Sequence, residues 1–147
     1  MPPYEISIDP SRLDVKAIHE YLTQSYWSPG IPFATVARAV DNSVCVGAYL
    51  GAKQVGFARV ITDKTTFAYL ADVYVLEPHR GNGLSRRMME AITQHPDLQG
   101  LRRWLLITRD AHGLYAKFGF KLLAAPERFM ERHTPNAYTT QSQRTSP

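Results

Sequence analysis

A chain that runs from an apolar β-type stretch through glycines into a helical pattern can hold an anion. Val73-Tyr74-Val75-Leu76-Glu77-Pro78-His79-Arg80-Gly81-Asn82-Gly83-Leu84-Ser85-Arg86 has that layout. A glycine lets the backbone approach a ligand with no Cβ in the way, and the unpaired N–H groups of a helix's first turn then point at a phosphate. Arg80 adds a formal positive charge beside them. Beyond the turn, Leu84, Met88, Ala91 and Ile92 share one helical face and Arg86, Arg87, Glu90 and Gln94 the other, before His95-Pro96 punctuates the chain. Taken alone, the glycines also fit a plain tight connection between strand and helix.

Two phosphate-binding alternatives are excluded by residue type. A Walker-type loop closes on Lys-Ser or Lys-Thr, which does not occur here. In a Rossmann fingerprint Gly81 and Gly83 would be the first two glycines, but Arg86 occupies the third position and the turn lies in mid-chain after a long stretch with no βαβ pattern. Arg80-Gly81-Asn82-Gly83-Leu84-Ser85 instead resembles the pyrophosphate-binding motif of the GCN5-related N-acetyltransferases (GNAT), Arg/Gln-x-x-Gly-x-Gly/Ala, with Ser85 in the last small-residue slot. Asp110 to Phe120 resembles the same family's short helix ending in a Tyr-x-x-x-Gly-Phe turn, here Tyr115-Ala116-Lys117-Phe118-Gly119-Phe120. The two motifs occur in the family's order, and the similarity runs from about Val55 to Leu123.

The resemblance implies an α/β fold of the GNAT type, with a mixed, mostly antiparallel central sheet flanked by helices and a splayed strand pair forming the acetyl-CoA cleft. It also implies direct transfer of the acetyl group from acetyl-CoA to a primary amine, both substrates being bound together. Gly81, Asn82, Gly83, Leu84 and Ser85 would supply N–H donors to the pyrophosphate, with Arg80 as counter-charge. Val73 and Val75 are the expected main-chain partners of the pantetheine arm, and an N–H there can polarise the thioester carbonyl. Tyr115 stands at the family's general-acid position, where a phenol can protonate the departing thiolate; by position alone it reads as a core aromatic. No metal is implied.

An alkylammonium of pKa about 10 must lose a proton before it attacks. Asp72 lies on the strand leading to the cradle and could be a base, an anchor for the substrate's cationic amine, or the partner of an arginine. His112 precedes Tyr115 by three residues and can share its helical face. Asp110 reads as that helix's cap. Where the family often has an asparagine touching the cofactor, this chain has Thr108. Tyr26, Trp27, Phe33 and Tyr69, with Phe129, are the expected acceptor-side walls, and crowded aromatics favour an apolar or cationic amine. Each could equally be ordinary core. His79, Arg86, Arg87, Arg102 and Arg103 could approach the cofactor's phosphates, and most of them read as solvated surface charge.

The elements that must position these groups follow from the pattern. Tyr4 to Ile8 alternates as a strand. Asp9-Pro10-Ser11 reads as the start of a helix whose apolar face is Leu13, Ala17, Ile18, Tyr21 and Leu22. A loop over Ser25 to Pro32 and a short helix over Thr35 to Val40 come next. Val44 to Leu50 and Gln54 to Ile61 form a hairpin through Gly51-Ala52-Lys53. Thr66 to Leu76, Arg103 to Thr108 and Phe120 to Leu123 are the remaining expected strands.

At 147 residues, 44% hydrophobic and 20% charged, the chain suits one globular domain, expected over residues 1–132 with a polar tail over 133–147. Its apolar runs are too short to cross a bilayer and its first residues lack a signal peptide's regions, so a cytoplasmic location is expected. The single cysteine, Cys45, falls in a predicted strand and reads as a buried, inert thiol. A net charge of +4 with no aromatic-interleaved basic stripe favours phosphates of a small ligand over nucleic acid. The expected partners are acetyl-CoA and an amine acceptor, with a homodimer left open. A non-catalytic acyl-CoA sensor using the same cradle is the alternative, and a basic nucleic-acid-binding domain is a third reading.

Overall fold

In a computed structural model, which describes residues 3–139, five strands form one sheet in the order β1-β2-β3-β4-β5. They are β1 (Tyr4–Ser7), β2 (Val44–Leu50), β3 (Lys53–Thr62), β4 (Phe67–Val75) and β5 (Arg103–Leu106). The first four are joined antiparallel; β5 lies parallel to β4, which requires a crossover, and α3 (Leu84–Thr93) supplies it. α1 (Val15–Leu22) and α2 (Phe33–Asp41) lie on the opposite face from α3, and the short α4 (His112–Ala116) follows β5. The expected α/β architecture is present.

Each face of the sheet has its own core. On the α3 side, Met88, Met89 and Ile92 pack against Val46, Ala48, Val55, Ala58 and Val60, all fully buried. On the other, Ile18, Leu22, Val36 and Val40 pack against Cys45, Phe57 and Tyr74. β2 is covered on both faces and reads as a continuous apolar run over Val44 to Tyr49, every residue of it buried.

Several elements differ from the sequence expectation. Asp9 caps only a single 3-10 turn, Pro10–Arg12, by accepting from Ser11 N–H at 2.9 Å. Leu13 then takes an extended conformation, and Asp14 becomes the true cap of α1, its Oδ1 accepting from Ala17 N–H at 3.0 Å. Phe120–Leu123 does not form a strand. Phe120 N–H turns back to the Tyr115 carbonyl at 3.3 Å, and its ring meets Trp104 and Tyr115 edge-on at 6.3 and 6.1 Å, so the segment is drawn over the end of α4 instead of along β5. β5 stops at Leu106, short of Thr108, where its pairing with β4 ends. Of the expected tail, residues 140–147 lie outside the described residues, while Tyr138 packs against the α1 and α2 core.

The feature that shapes the site is a β-bulge. Arg59 pairs with Asp72 but Val60 pairs with Leu70, so Ala71 is unmatched. The extra residue reverses the alternation of β4: Ala68 and Leu70 face the α3 core, and after the bulge so do Val73 and Val75, while Tyr74 faces α1 and α2. β4 leaves β5 at the same place, since their last pair is Leu70 with Leu106 and β4 continues to Val75. The two strands splay from that point.

Candidate active site

The free edge of β4 forms one wall of the cleft between the splayed strands. Leu76 N–H donates to Val55 O at 2.8 Å, toward β3, so strand alternation turns the main-chain groups of Val75 and Val73 the other way, into the gap. Val75 O there accepts from Arg80 Nε at 2.9 Å. The Val73 and Val75 side chains are in or against the α3 core, leaving only main chain for a ligand.

Past β4 the chain makes a 3-10 turn, Glu77–His79, and enters the glycine loop. Gly81 (φ +82) and Gly83 (φ +71, the residue capping α3) are left-handed, a conformation that side chains resist. A Cβ on either would meet nothing within 4 Å, so the backbone face of the loop lies open. No side chain caps α3, which leaves its first-turn N–H groups, among them those of Leu84 and Ser85, unpaired. Leu84 itself is 2% exposed and anchors the helix in the core. A cleft of about 230 Å³ joins Val75, the glycine loop and Ser85 to Leu114 of α4. Asn82 braces the loop by donating Nδ2 to His79 O at 2.9 Å. Open N–H groups, left-handed glycines and a strand edge running into them fit an extended, amide-bearing chain ending in a pyrophosphate.

The basic residues divide. Arg80 reaches back over the strand end, with Nη2 3.4 Å from the Tyr21 hydroxyl, and lines the same cleft as Leu84 and Ser85 of α3. Arg87 donates both terminal nitrogens to Tyr4 O at 3.3 Å, and Arg86 pairs with Glu90 at 3.1 Å. The Tyr4 hydroxyl sits 2.9 Å from His79 Nδ1, tying β1 to the glycine loop. That brace went unread because its partners are 75 residues apart and neither lies in a motif.

Tyr115 is 8% exposed, and burial, followed by the nearby Tyr26 phenol, raises its pKa. Its ring is fixed against Phe120. It also lines a larger cavity, about 840 Å³, along the outer side of β5 with Trp104, Leu106 and Phe120. His112 opens α4 and is exposed; it shares that cavity with Tyr115 but no hydrogen bond links the two. Asp110 does not cap α4. Thr108 supplies the brace, its Oγ1 accepting from Ala111 N–H at 3.0 Å.

On the α1 and α2 face, Asp72 is 6% exposed with both oxygens engaged: Trp27 Nε1 donates to Oδ1 and Arg59 Nε to Oδ2, each at 2.7 Å. Of the three roles the sequence left open, the arginine pairing is directly visible. Tyr26 meets Trp27 at 81° with centroids 5.0 Å apart, and the Arg109 guanidinium lies 4.0 Å over the Tyr26 ring. Tyr69 is half-buried opposite Leu105, its phenol pKa raised by burial and then by Asp72. Tyr26, Trp27, Tyr69 and Asp72 thus gather at the splay. Phe33 stands apart, edge-on to His19 of α1 at 5.6 Å, and Phe129 lies under Arg103 at the far end of β5.

Comparison with known proteins agrees with this geometry. A family model described as an acetyltransferase (GNAT) domain matches residues 41–122. The crystal structure of a candidate acetyltransferase of the GNAT family from Xanthomonas campestris pv. campestris superposes with a TM-score of 0.91 at 52% identity, over 95% of this chain and 99% of that one. A candidate acetyltransferase from Gibberella zeae is 34% identical over 78% of this chain and 76% of its own length. An aminoglycoside N-acetyltransferase in complex with CoA shares the fold, with a TM-score of 0.64 at 16% identity over 90% of this chain and 95% of that one.

Proposed function

The chain belongs to the GNAT family of acetyltransferases, and from that premise we propose that it moves the acetyl group of acetyl-CoA directly to a primary amine in a ternary complex, with Tyr115 as general acid. One observation carries the reading: the edge of β4 freed beyond Leu70 leads, through the Glu77–His79 turn, to the glycine loop and the open first-turn N–H groups of α3. Gly81, Asn82, Gly83, Leu84 and Ser85 hold the pyrophosphate through main-chain donors. Val73 and Val75 hold the pantetheine arm, for which Arg80 must release Val75 O. Bound acetyl-CoA supplies an activated acyl thioester. A β4 N–H at the splay polarises its carbonyl. Tyr115 gives its phenolic proton to the sulfur as the C–S bond breaks, while the amine nitrogen forms the new C–N bond and loses its own proton to water.

A direct transfer is supported by the state of the one thiol. Cys45 is 8% exposed on the α1 and α2 face, and burial pushes its pKa up to about 12, so it is no nucleophile for a covalent acyl-enzyme. Initial rates measured over a grid of acetyl-CoA and amine concentrations are expected to give intersecting double-reciprocal lines. Parallel lines would instead indicate an acyl-enzyme and overturn the ternary complex. Acetyl-CoA binding with no turnover on any amine would favour the sensor.

A further inference from the structure

The loop between α1 and α2 presents Tyr26, 60% exposed, and Trp27, 37% exposed, and what pins it to the sheet is a chain of charge-assisted contacts. Trp27 Nε1–H reaches Asp72 Oδ1 across 45 residues of sequence, Arg59 Nε–H takes Oδ2, and Arg59 Nη1–H goes on to Ser43 Oγ at 3.1 Å. The bulge at Ala71 places Asp72 on this face at all.

We propose that Asp72 is a positioning residue of the acceptor site: clamped to β3 by Arg59, it fixes the Trp27 indole as one wall of a corner that seats an amine on an apolar or aromatic body. The inference rests on the acetyl-transfer reading and names its acceptor class. Tyr26, nearly perpendicular to Trp27 and packed against it, is the second wall, and the two rings at 81° present a joined apolar corner against which a flat group can rest. The charges flanking the corner argue against a polycation. Both Asp72 oxygens are engaged, Arg59 beside it is cationic, and the Arg109 guanidinium covers one face of Tyr26. Positive charges on the acceptor's body, beyond the one reacting amine, meet repulsion there. As a base, Asp72 would have to loosen the indole or the guanidinium to take a proton, which the paired geometry works against.

The test compares Asp72→Asn, Trp27→Phe and the double variant with 2-phenylethylamine and spermidine as acceptors. Each single change is expected to raise KM for 2-phenylethylamine about tenfold, the scale of one charge-assisted hydrogen bond, with KM for acetyl-CoA held within about twofold. The double variant should be no worse than either single one, because both remove the same contact. The kcat–pH profile should keep its wild-type shape. The Trp27 indole N–H resonance, assigned by its loss in Trp27→Phe, should move upfield in Asp72→Asn whether or not any amine turns over. Trp27→Phe leaves the Arg59 pair intact, so it decides the matter even if Asp72→Asn misfolds. A drop in kcat of about a hundredfold in Asp72→Asn with KM unchanged in Trp27→Phe identifies a general base and overturns the positioning role. Additive losses in the double variant, or an unmoved indole resonance, overturn the clamp; a preference for spermidine overturns the acceptor class. If neither amine is acetylated, the acceptor class is overturned while the resonance still reports on the clamp, and the transfer reading itself fails only if no primary amine yields free CoA thiol.

Discussion

Tyr115→Phe is expected to lower kcat by about 10²-fold or more while leaving the affinity for acetyl-CoA within about twofold, since proton donation to a leaving group contributes on that scale. The ring is the part that packs, edge-on to Phe120 and within the α3-side core, so the phenylalanine keeps the fold and removes only the hydroxyl. Burial supplies the pH signature. A phenol ordinarily loses its proton near pH 10; desolvation disfavours the phenolate of Tyr115, and the neighbouring Tyr26 adds to that, so its folded pKa is raised. The acid form is therefore present throughout the neutral range and is lost only as pH climbs above the usual tyrosine value. Wild-type kcat should fall on that alkaline limb, and the limb should be missing from the residual activity of the variant. Steady-state kinetics across pH checks both. A variant with wild-type kcat would assign Tyr115 to the core alone.

Gly83→Asp is expected to abolish stabilisation by acetyl-CoA. The residue sits at φ +71 immediately before α3, where any side chain meets a left-handed penalty on the order of 1 kcal/mol and a carboxylate would stand at the open N–H groups meant for the pyrophosphate. In the wild type, acetyl-CoA at 100 times its Kd should add about 2.7 kcal/mol, roughly 5–10 °C in Tm for a domain of this size. The shift should shrink toward zero in the variant. Gly83→Ala separates strain from charge: it lowers Tm without ligand and retains part of the ligand-dependent rise. An undiminished shift in Gly83→Asp would place the pyrophosphate elsewhere.

Local rules made the glycine loop and α3 legible. Glycines between a β-type run and a helical period are short-range signals, and the structure has α3 from Leu84 to Thr93 as the periodicity predicts. The hairpin at Gly51-Ala52 and the turn after Tyr115 were readable for the same reason. What the sequence hid lies at long range or in parity. Strict alternation along β4 would put Leu70 and Asp72 on one face. The single unmatched residue Ala71 sends Asp72 to the other, and only there can it meet Arg59 and Trp27. The cap of α1 was misread because Asp9 and Asp14 are both competent caps, and the extended Leu13 between them decides. Phe120–Leu123 has strand-like composition, but the packing of Phe120 on Trp104 and Tyr115 outweighs it.

Transfer of acetyl from acetyl-CoA to an amine makes free CoA and an acetylated amine in equal amounts, and a single reaction quantifies both. The wild-type protein is incubated with acetyl-CoA and 2-phenylethylamine, free CoA thiol is titrated, and the acetylated amine is measured by mass spectrometry over many turnovers. Equal amounts of thiol and acetylated amine, both collapsing in Tyr115→Phe, are the predicted result. Thiol released without acetylated amine, or neither product from any primary amine tried, would rule out amine acetylation by this chain.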